Sequence, residues 1–129
     1  MAMFFRCADG GLAVFNGGYE DDNKAIIQVQ TGAGQDIGLP DFARHSGYHK
    51  LTAARALLIA DTANDAGGAS GFKSGGSFHF SSGRNRIIVN CGNGSHRGGG
   101  WRKALEQRSA HSALSFENGE AGLSFGEIT

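Results

Sequence analysis

Proline is almost missing from this 129-residue chain, which has Pro40 alone, and cysteine is reduced to Cys7 and Cys91. Turns must therefore be made without proline, by residues that reach positive φ or bond their own backbone. The two cysteines show no CxxC spacing, the usual sign of a redox or metal motif. Two reduced, buried thiols are expected, with a single disulfide as the alternative. Cys91 ends an apolar strand, where cysteine behaves as a small hydrophobe.

Net charge is missing too. Twelve basic residues balance twelve acidic ones, so no global field draws the chain to nucleic acid or an anionic membrane. The longest apolar run, Ala56 to Ala60, is far too short to span a bilayer. Met1-Ala-Met-Phe-Phe-Arg has no basic leader region. No nucleic-acid and no membrane partner is expected, and the default expectation is a soluble cytoplasmic chain. Its compartment is otherwise open.

Glycine is what the chain has in excess, with 22 residues where average usage gives about nine. Hydrophobic residues make up 40% and charged residues 19%, too apolar for a disordered segment. The length fits one domain over 1–129 with a real core. Dense glycine with short apolar runs points to short strands and tight turns.

Met3-Phe4-Phe5-Arg6 and Leu12-Ala13-Val14-Phe15 flank an Asp9-Gly10-Gly11 turn signal and predict a hairpin. Residues 21–30 carry acids at the start and glycine beyond the end, as a short helix does. Their β-branched run also suits a strand. Gly47 to Leu51 and Ala56 to Asp61 predict a strand pair around Thr52-Ala53-Ala54-Arg55. Phe78 and Phe80 alternate with Ser77, His79 and Ser81, which predicts a half-buried strand with its phenylalanines inward. Arg86 to Cys91, with its apolar centre, predicts a central strand. Trp101 to Gln107 reads as a helical turn or an irregular strand. Leu114 with Phe116, and Leu123 with Phe125, predict the last strands. The sum is mainly all-β: an antiparallel β-sandwich with one short helix near 21–30.

Signs of chemistry are few. His45 and His49 have the spacing that grips zinc on a helix. Here they sit in turn and strand material, where such residues lie about 13 Å apart, so a surface pair is favoured. Gly92 to Gly100 suggests a phosphate cradle. Without a Gly-Lys-Ser/Thr ending or a convincing helix after it, a long connection is favoured. Arg84, Arg86, Arg97, Arg102, Lys103 and Arg108 concentrate half of the basic residues in one stretch whose one acid is Glu106. They mark an anion-binding face or a set of solvated strand ends. His111 alone defines no proton-transfer site. Trp101 is either a sugar-stacking platform or a core anchor.

Taken in order, Phe4-Phe5-Arg6, Asp9-Gly10-Gly11-Leu12-Ala13-Val14-Phe15-Asn16-Gly17 and His45-Ser46-Gly47-Tyr48 lead to Ser82-Gly83-Arg84-Asn85-Arg86-Ile87-Ile88-Val89-Asn90-Cys91-Gly92. The glycine loop, Trp101-Arg102-Lys103-Ala104-Leu105 and Arg108-Ser109-Ala110-His111-Ser112 complete the series. This order resembles the heparinase II/III-like family over nearly the whole chain. The resemblance implies a β-sandwich domain of polysaccharide lyases, which cleave uronic-acid-containing glycans by β-elimination. In that reaction a base takes the proton α to the carboxylate and an acid protonates the departing oxygen.

The family draws most of these groups from an α/α toroid, of which this sequence shows no helical hairpins. It also implies a His-x-His-x-Asp-like stretch before the Phe78 strand, where this chain has Ser70, Phe72 and Ser74. Some relatives hold a structural zinc through that stretch, an aspartate and a later histidine; the last two positions here are Asn90 and His111. No metal, no cofactor and no catalytic residue is therefore expected in this chain. The expected role is a β-sandwich module, non-catalytic alone, structural or weakly binding an anionic polysaccharide. Its contacts would be Arg84, Arg86, Trp101, Arg102, Arg108 and His111. One alternative is a lyase completed by another domain or chain. Another is a small oligomeric interaction protein without a sugar role. A β domain parted from its neighbours leaves apolar faces bare, so a two-fold homodimer is also expected.

Overall fold

The computed structural model describes residues 2–15, 17–18, 41–43, 46–62, 75–94 and 97–113. The expected helix near 21–30 and the expected strands beyond residue 113 lie outside these residues. Five antiparallel strands form one meandering sheet: β1 (Phe42–Ala43), β2 (Tyr48–Ala53), β3 (Ala56–Asp61), β4 (Phe78–Ser82) and β5 (Asn85–Ile88). One short helix, α1 (Trp101–Leu105), follows the glycine loop. The class is all-β, and the described residues form one five-stranded sheet. Among them, no helix is long and apolar enough to cross a membrane.

The β2–β3 ladder runs from Tyr48↔Asp61 to Ala53↔Ala56, so both strands exceed their apolar runs. Only Ala54 and Arg55 remain in the turn. Ala54 takes φ 51° there, the left-handed region a two-residue hairpin turn demands and a Cβ resists.

The first fifteen residues do not form the expected two-stranded hairpin. Ala2–Phe5 is a 3-10 turn, and the return leg makes one isolated bridge, Arg6↔Leu12. Cys7 N–H donates to the Gly11 carbonyl at 2.8 Å, and Ala13 N–H to that of Phe5 at 2.8 Å. The reason lies in Phe4 and Phe5, adjacent in sequence yet both packed into the core. A strand sends neighbouring side chains to opposite faces; a helical turn need not.

This arm lies on one face of the sheet. Phe4, Cys7, Ala13 and Phe15 form the buried core with Tyr48, Leu57 and Ile59. Directly paired residues share a face, so Ile59↔His79 and Leu57↔Ser81 place the β4 residues His79 and Ser81 under the arm as well. His79 is 1% exposed, whereas Phe78 and Phe80 are half-buried on the other face. The expected phenylalanine-inward orientation is thus inverted. Coverage by the arm decides the face, and hydrophobicity does not.

The expected central position of Arg86 to Cys91 is also corrected. β5 is the edge strand beyond a bulge at Phe80/Ser81, and Ile87 and Val89 are 58% and 53% exposed. Both cysteines are free thiols, but Cys91 is exposed rather than buried. It lies beyond the end of β5, where its N–H donates to the Ala110 carbonyl at 3.4 Å. Trp101 to Gln107 resolves as the helical turn of the two options.

Ile59 is the fully buried centre of the core. Its truncation, Ile59→Ala, is expected to lower unfolding free energy by about 2–5 kcal/mol, measured by urea denaturation. A loss under about 1 kcal/mol would show that the arm does not cover this face.

Candidate functional site

The six residues that the sequence nominates divide between the β4–β5 hairpin, with Arg84 and Arg86, and the segment 101–111, with Trp101, Arg102, Arg108 and His111. Arg84 is exposed in the β4–β5 turn. Arg86 points under the arm, where its Nε donates to Asp9 Oδ2 at 2.7 Å and its Nη2 to Oδ1 at 3.3 Å. That bond is the main cause holding the Asp9 carboxyl below its usual range. Gly11 N–H also donates to Asp9 Oδ1. A Cβ on Gly11 would collide with the Arg86 guanidinium, so this ion pair needs the glycine of the Asp-Gly-Gly turn.

Arg102 pairs with Glu106 one helical turn later, Nε to Oε1 at 3.0 Å. Arg108 donates from Nη1 to the Gly75 carbonyl at 2.9 Å. His111 is buried, and its Nε2 lies 3.1 Å from the Leu105 carbonyl. Burial is the largest influence on its imidazole and moves the pKa below the ordinary 6.5. These groups hold the segment 101–113 together and onto the sheet.

Trp101 is different: at 49% exposure, its indole opens α1 to solvent. The Arg97 guanidinium sits 5.3 Å from the ring centroid, a cation–π arrangement. Arg97 N–H donates to the Gly94 carbonyl at 2.9 Å and Trp101 N–H to that of Gly98 at 3.1 Å. Gly94 has φ 66°, and a Cβ there would lie 2.7 Å from Leu105 Cδ1. Gly98, Gly99 and Gly100 have open space where side chains would stand. Lys103 is exposed on the same helix. Arg97 belongs to the basic cluster of the sequence, yet its stacking on Trp101 was not legible from spacing. A glycine loop hides which turns will join.

Cys7 and His79 are also unforeseen neighbours. Cys7 Sγ is 3.4 Å from His79 Nε2 in the core. Burial first, then the Arg86 charge, lowers the His79 pKa. A neutral imidazole accepting a hydrogen bond from the thiol fits this environment, whereas a thiolate–imidazolium pair would bury two charges. The contact is a satisfied core pair rather than an activated nucleophile. His49 stacks on Phe42 at 4.3 Å between centroids, and His45 lies outside the described residues.

Asn90 stands at the position that the resemblance assigns to a zinc-holding aspartate, and its surroundings do not fit a metal. Its Nδ2 donates to the Phe78 carbonyl at 3.3 Å. Its Oδ1 accepts from Ser112 N–H at 2.9 Å and from Ser112 Oγ at 3.0 Å. Ser112 Oγ also bonds the Phe78 carbonyl and accepts the Phe78 N–H. Both ends of the amide are thus engaged, and His111 Nε2 is turned to a carbonyl. Among the described residues, no cluster of three His, Cys, Asp or Glu side chains is placed to hold an ion.

Fold and site together define an all-β module whose polar groups chiefly join one segment to the next. A family model described as "Heparinase II/III-like, C-terminal" matches residues 38–127. The chain belongs to the heparinase II/III-like family, as a C-terminal-domain module of these polysaccharide lyases. No curated protein and no solved structure matches it.

Two outcomes follow for the buried groups. His79 and His111 both have folded pKa values below 6.5, so the folded state binds fewer protons than the unfolded chain. Their contribution is complete above the ordinary value and lost as pH falls below it. The urea midpoint should therefore drop between about pH 7.5 and about pH 5. His79→Gln and His111→Asn should each flatten that slope, and an unchanged slope in both variants would remove this origin.

Asn90→Asp keeps the acceptor for Ser112 but loses the donor to Phe78. It should lower stability by about 1–3 kcal/mol at neutral pH, and added zinc should not restore the melting temperature. Zinc rescue would mean that the cluster does fit a metal.

Proposed function

We propose that this chain is a non-catalytic module of the heparinase II/III-like type that holds an anionic glycan weakly at Trp101. The observation that carries this reading is the half-exposed indole with Arg97 across it, preceded by the open Gly98-Gly99-Gly100 positions. An aromatic face takes the apolar side of a sugar ring. A guanidinium next to it takes a carboxylate or sulfate in bidentate fashion. Arg84 lies apart on the β4–β5 turn, while Arg86, Arg102 and Arg108 have partners within the chain. Few cations therefore remain for a ligand, which supports weak binding with a Kd on the order of 1 mM.

The non-catalytic part rests on His111 and Asn90. A buried imidazole engaged by a backbone carbonyl is poorly placed as base or acid. A neutral amide adds no charge. The internal engagement of Arg86, Arg102 and Arg108 also favours a second reading, a small interaction protein without a sugar role.

Trp101 is the one tryptophan in the chain, so its fluorescence reports directly on this surface. Titration with a uronic-acid oligosaccharide should give a saturable change that weakens with salt. Arg97→Ala should reduce affinity at least about threefold, and a neutral oligosaccharide should give no change. Equal responses to both sugars, or none to either, would reject the reading. Formation of unsaturated uronate by the chain alone would overturn the non-catalytic role.

A further inference from the structure

The arm is seated unevenly on its face of the sheet. At its root, the Phe5 and Phe15 rings pack on Tyr48, and Phe4 is buried with them. At its tip, residues 7–11, the seat is polar. Cys7 meets His79 there, and Ser77 and Ser81, which flank His79 on the same side of the chain, are also buried. Among the described residues, neither serine hydroxyl has a hydrogen-bond partner, a cost that contact with water relieves.

The tip is also a closed turn of its own. Its bonds from Cys7 N–H to the Gly11 carbonyl and from Gly10 N–H to the Cys7 carbonyl are internal, so they survive if the turn moves as a unit. Side chains anchor it to the sheet: Cys7 Sγ against His79 Nε2, and both Asp9 oxygens on Arg86. Ala8, at the crown of the turn, is exposed. The single bridge Arg6↔Leu12 marks where tip meets root.

We propose that residues 7–11 form a hinged flap, clasped shut by the Asp9–Arg86 ion pair, whose opening releases the Cys7 thiol to solvent while the aromatic root stays docked. A segment with few buried apolar contacts opens at a lower free energy than the whole fold. Lifting the tip rehydrates two serine hydroxyls and an imidazole, whereas lifting the root would bare Tyr48 and Ile59.

Closed, the Cys7 thiol is shielded and hydrogen-bonded to a neutral imidazole. Open, it is a solvated thiol whose thiolate fraction attacks an alkylating agent or a disulfide. The clasp thus makes access to Cys7 conditional, whereas Cys91 is exposed in the closed state.

Alkylation of the whole chain by iodoacetamide, read at each cysteine by mass spectrometry, tests this. The thiolate displaces iodide, so a C–S bond replaces the C–I bond and the thiol proton passes to buffer. Cys91 should react faster than Cys7. The Cys7 rate should rise less steeply with urea than global unfolding does. Asp9→Asn keeps the shape of the clasp without its charge and should speed Cys7 alkylation at least about fivefold. Gly11→Ala keeps both charges but sets a methyl where Arg86 Nη2 lies, and should act in the same direction. Asn90→Asp weakens the Ser112 network and spares the clasp, so the Cys7 rate without urea should not change.

Cys7 alkylation with the full urea dependence of global unfolding overturns the proposal. So do two clasp variants that react at the wild-type rate, or a wild-type Cys7 that reacts as fast as Cys91. Faster Cys7 alkylation in Asn90→Asp would place its exposure in global unfolding and equally reject the flap.

Discussion

Coverage of one sheet face by the first fifteen residues is the contact on which the rest of the described structure depends. Tyr48 receives the Phe5 ring at 4.8 Å and the Phe15 ring at 5.1 Å, both near edge-to-face. Such pairs add roughly 0.5–1.5 kcal/mol each beyond area burial. The arm is tied at its far end by the Asp9–Arg86 ion pair. Between these anchors, Cys7 reaches His79, giving the buried imidazole a contact that water would otherwise supply. Without the arm, Ile59 and Tyr48 would be bare, and nothing would distinguish one face of β4 from the other.

The second fixed point is the Asn90, Ser112 and Phe78 network. It joins the end of the β5 segment, the turn after Arg108–Ala110 and the start of β4. A metal would tie such segments through charge and coordination. Here neutral groups do it, with the single Ser112 hydroxyl proton shared between Asn90 Oδ1 and the Phe78 carbonyl, and no ion has to be dehydrated. The network also explains why His111 is turned inward: the 3-10 turn delivers Ser112 to β4, and the imidazole, one residue earlier, falls against the Leu105 carbonyl.

Strand positions were legible in the sequence wherever a turn signal bounded an apolar run. Gly47 and the Ala54-Arg55 turn frame β2 and β3, and Gly83 separates β4 from β5. The all-β class follows from that spacing. The face of β4 was not legible, because Phe-His-Phe-Ser-Ser alternates cleanly and only the arm says which side is inside. The edge position of β5 was hidden for a related reason: Ile87-Ile88-Val89 looks central in any window, while strand order is set by chain connection. Phe4-Phe5 misled as a strand because both rings are wanted on one side. The basic cluster was visible as a cluster, but not the separate partners of Arg86, Arg102 and Arg108.

That division of the arginines bears on function. A guanidinium already bonded to a partly buried carboxylate, as Arg86 is to Asp9, must give up that bond to take a ligand anion. The new contact would gain little net energy from the exchange. Arg102 faces a milder form of the same competition, since its bond to Glu106 is exposed and screened. Arg97 instead lies over a ring, where its in-plane donors stay available to a ligand even as its face is stacked. A stacked guanidinium is also held in place before binding, which reduces the ordering cost. Of the six cations clustered along the chain, Arg97 is thus the one held over an indole, the arrangement on which the proposed glycan role rests.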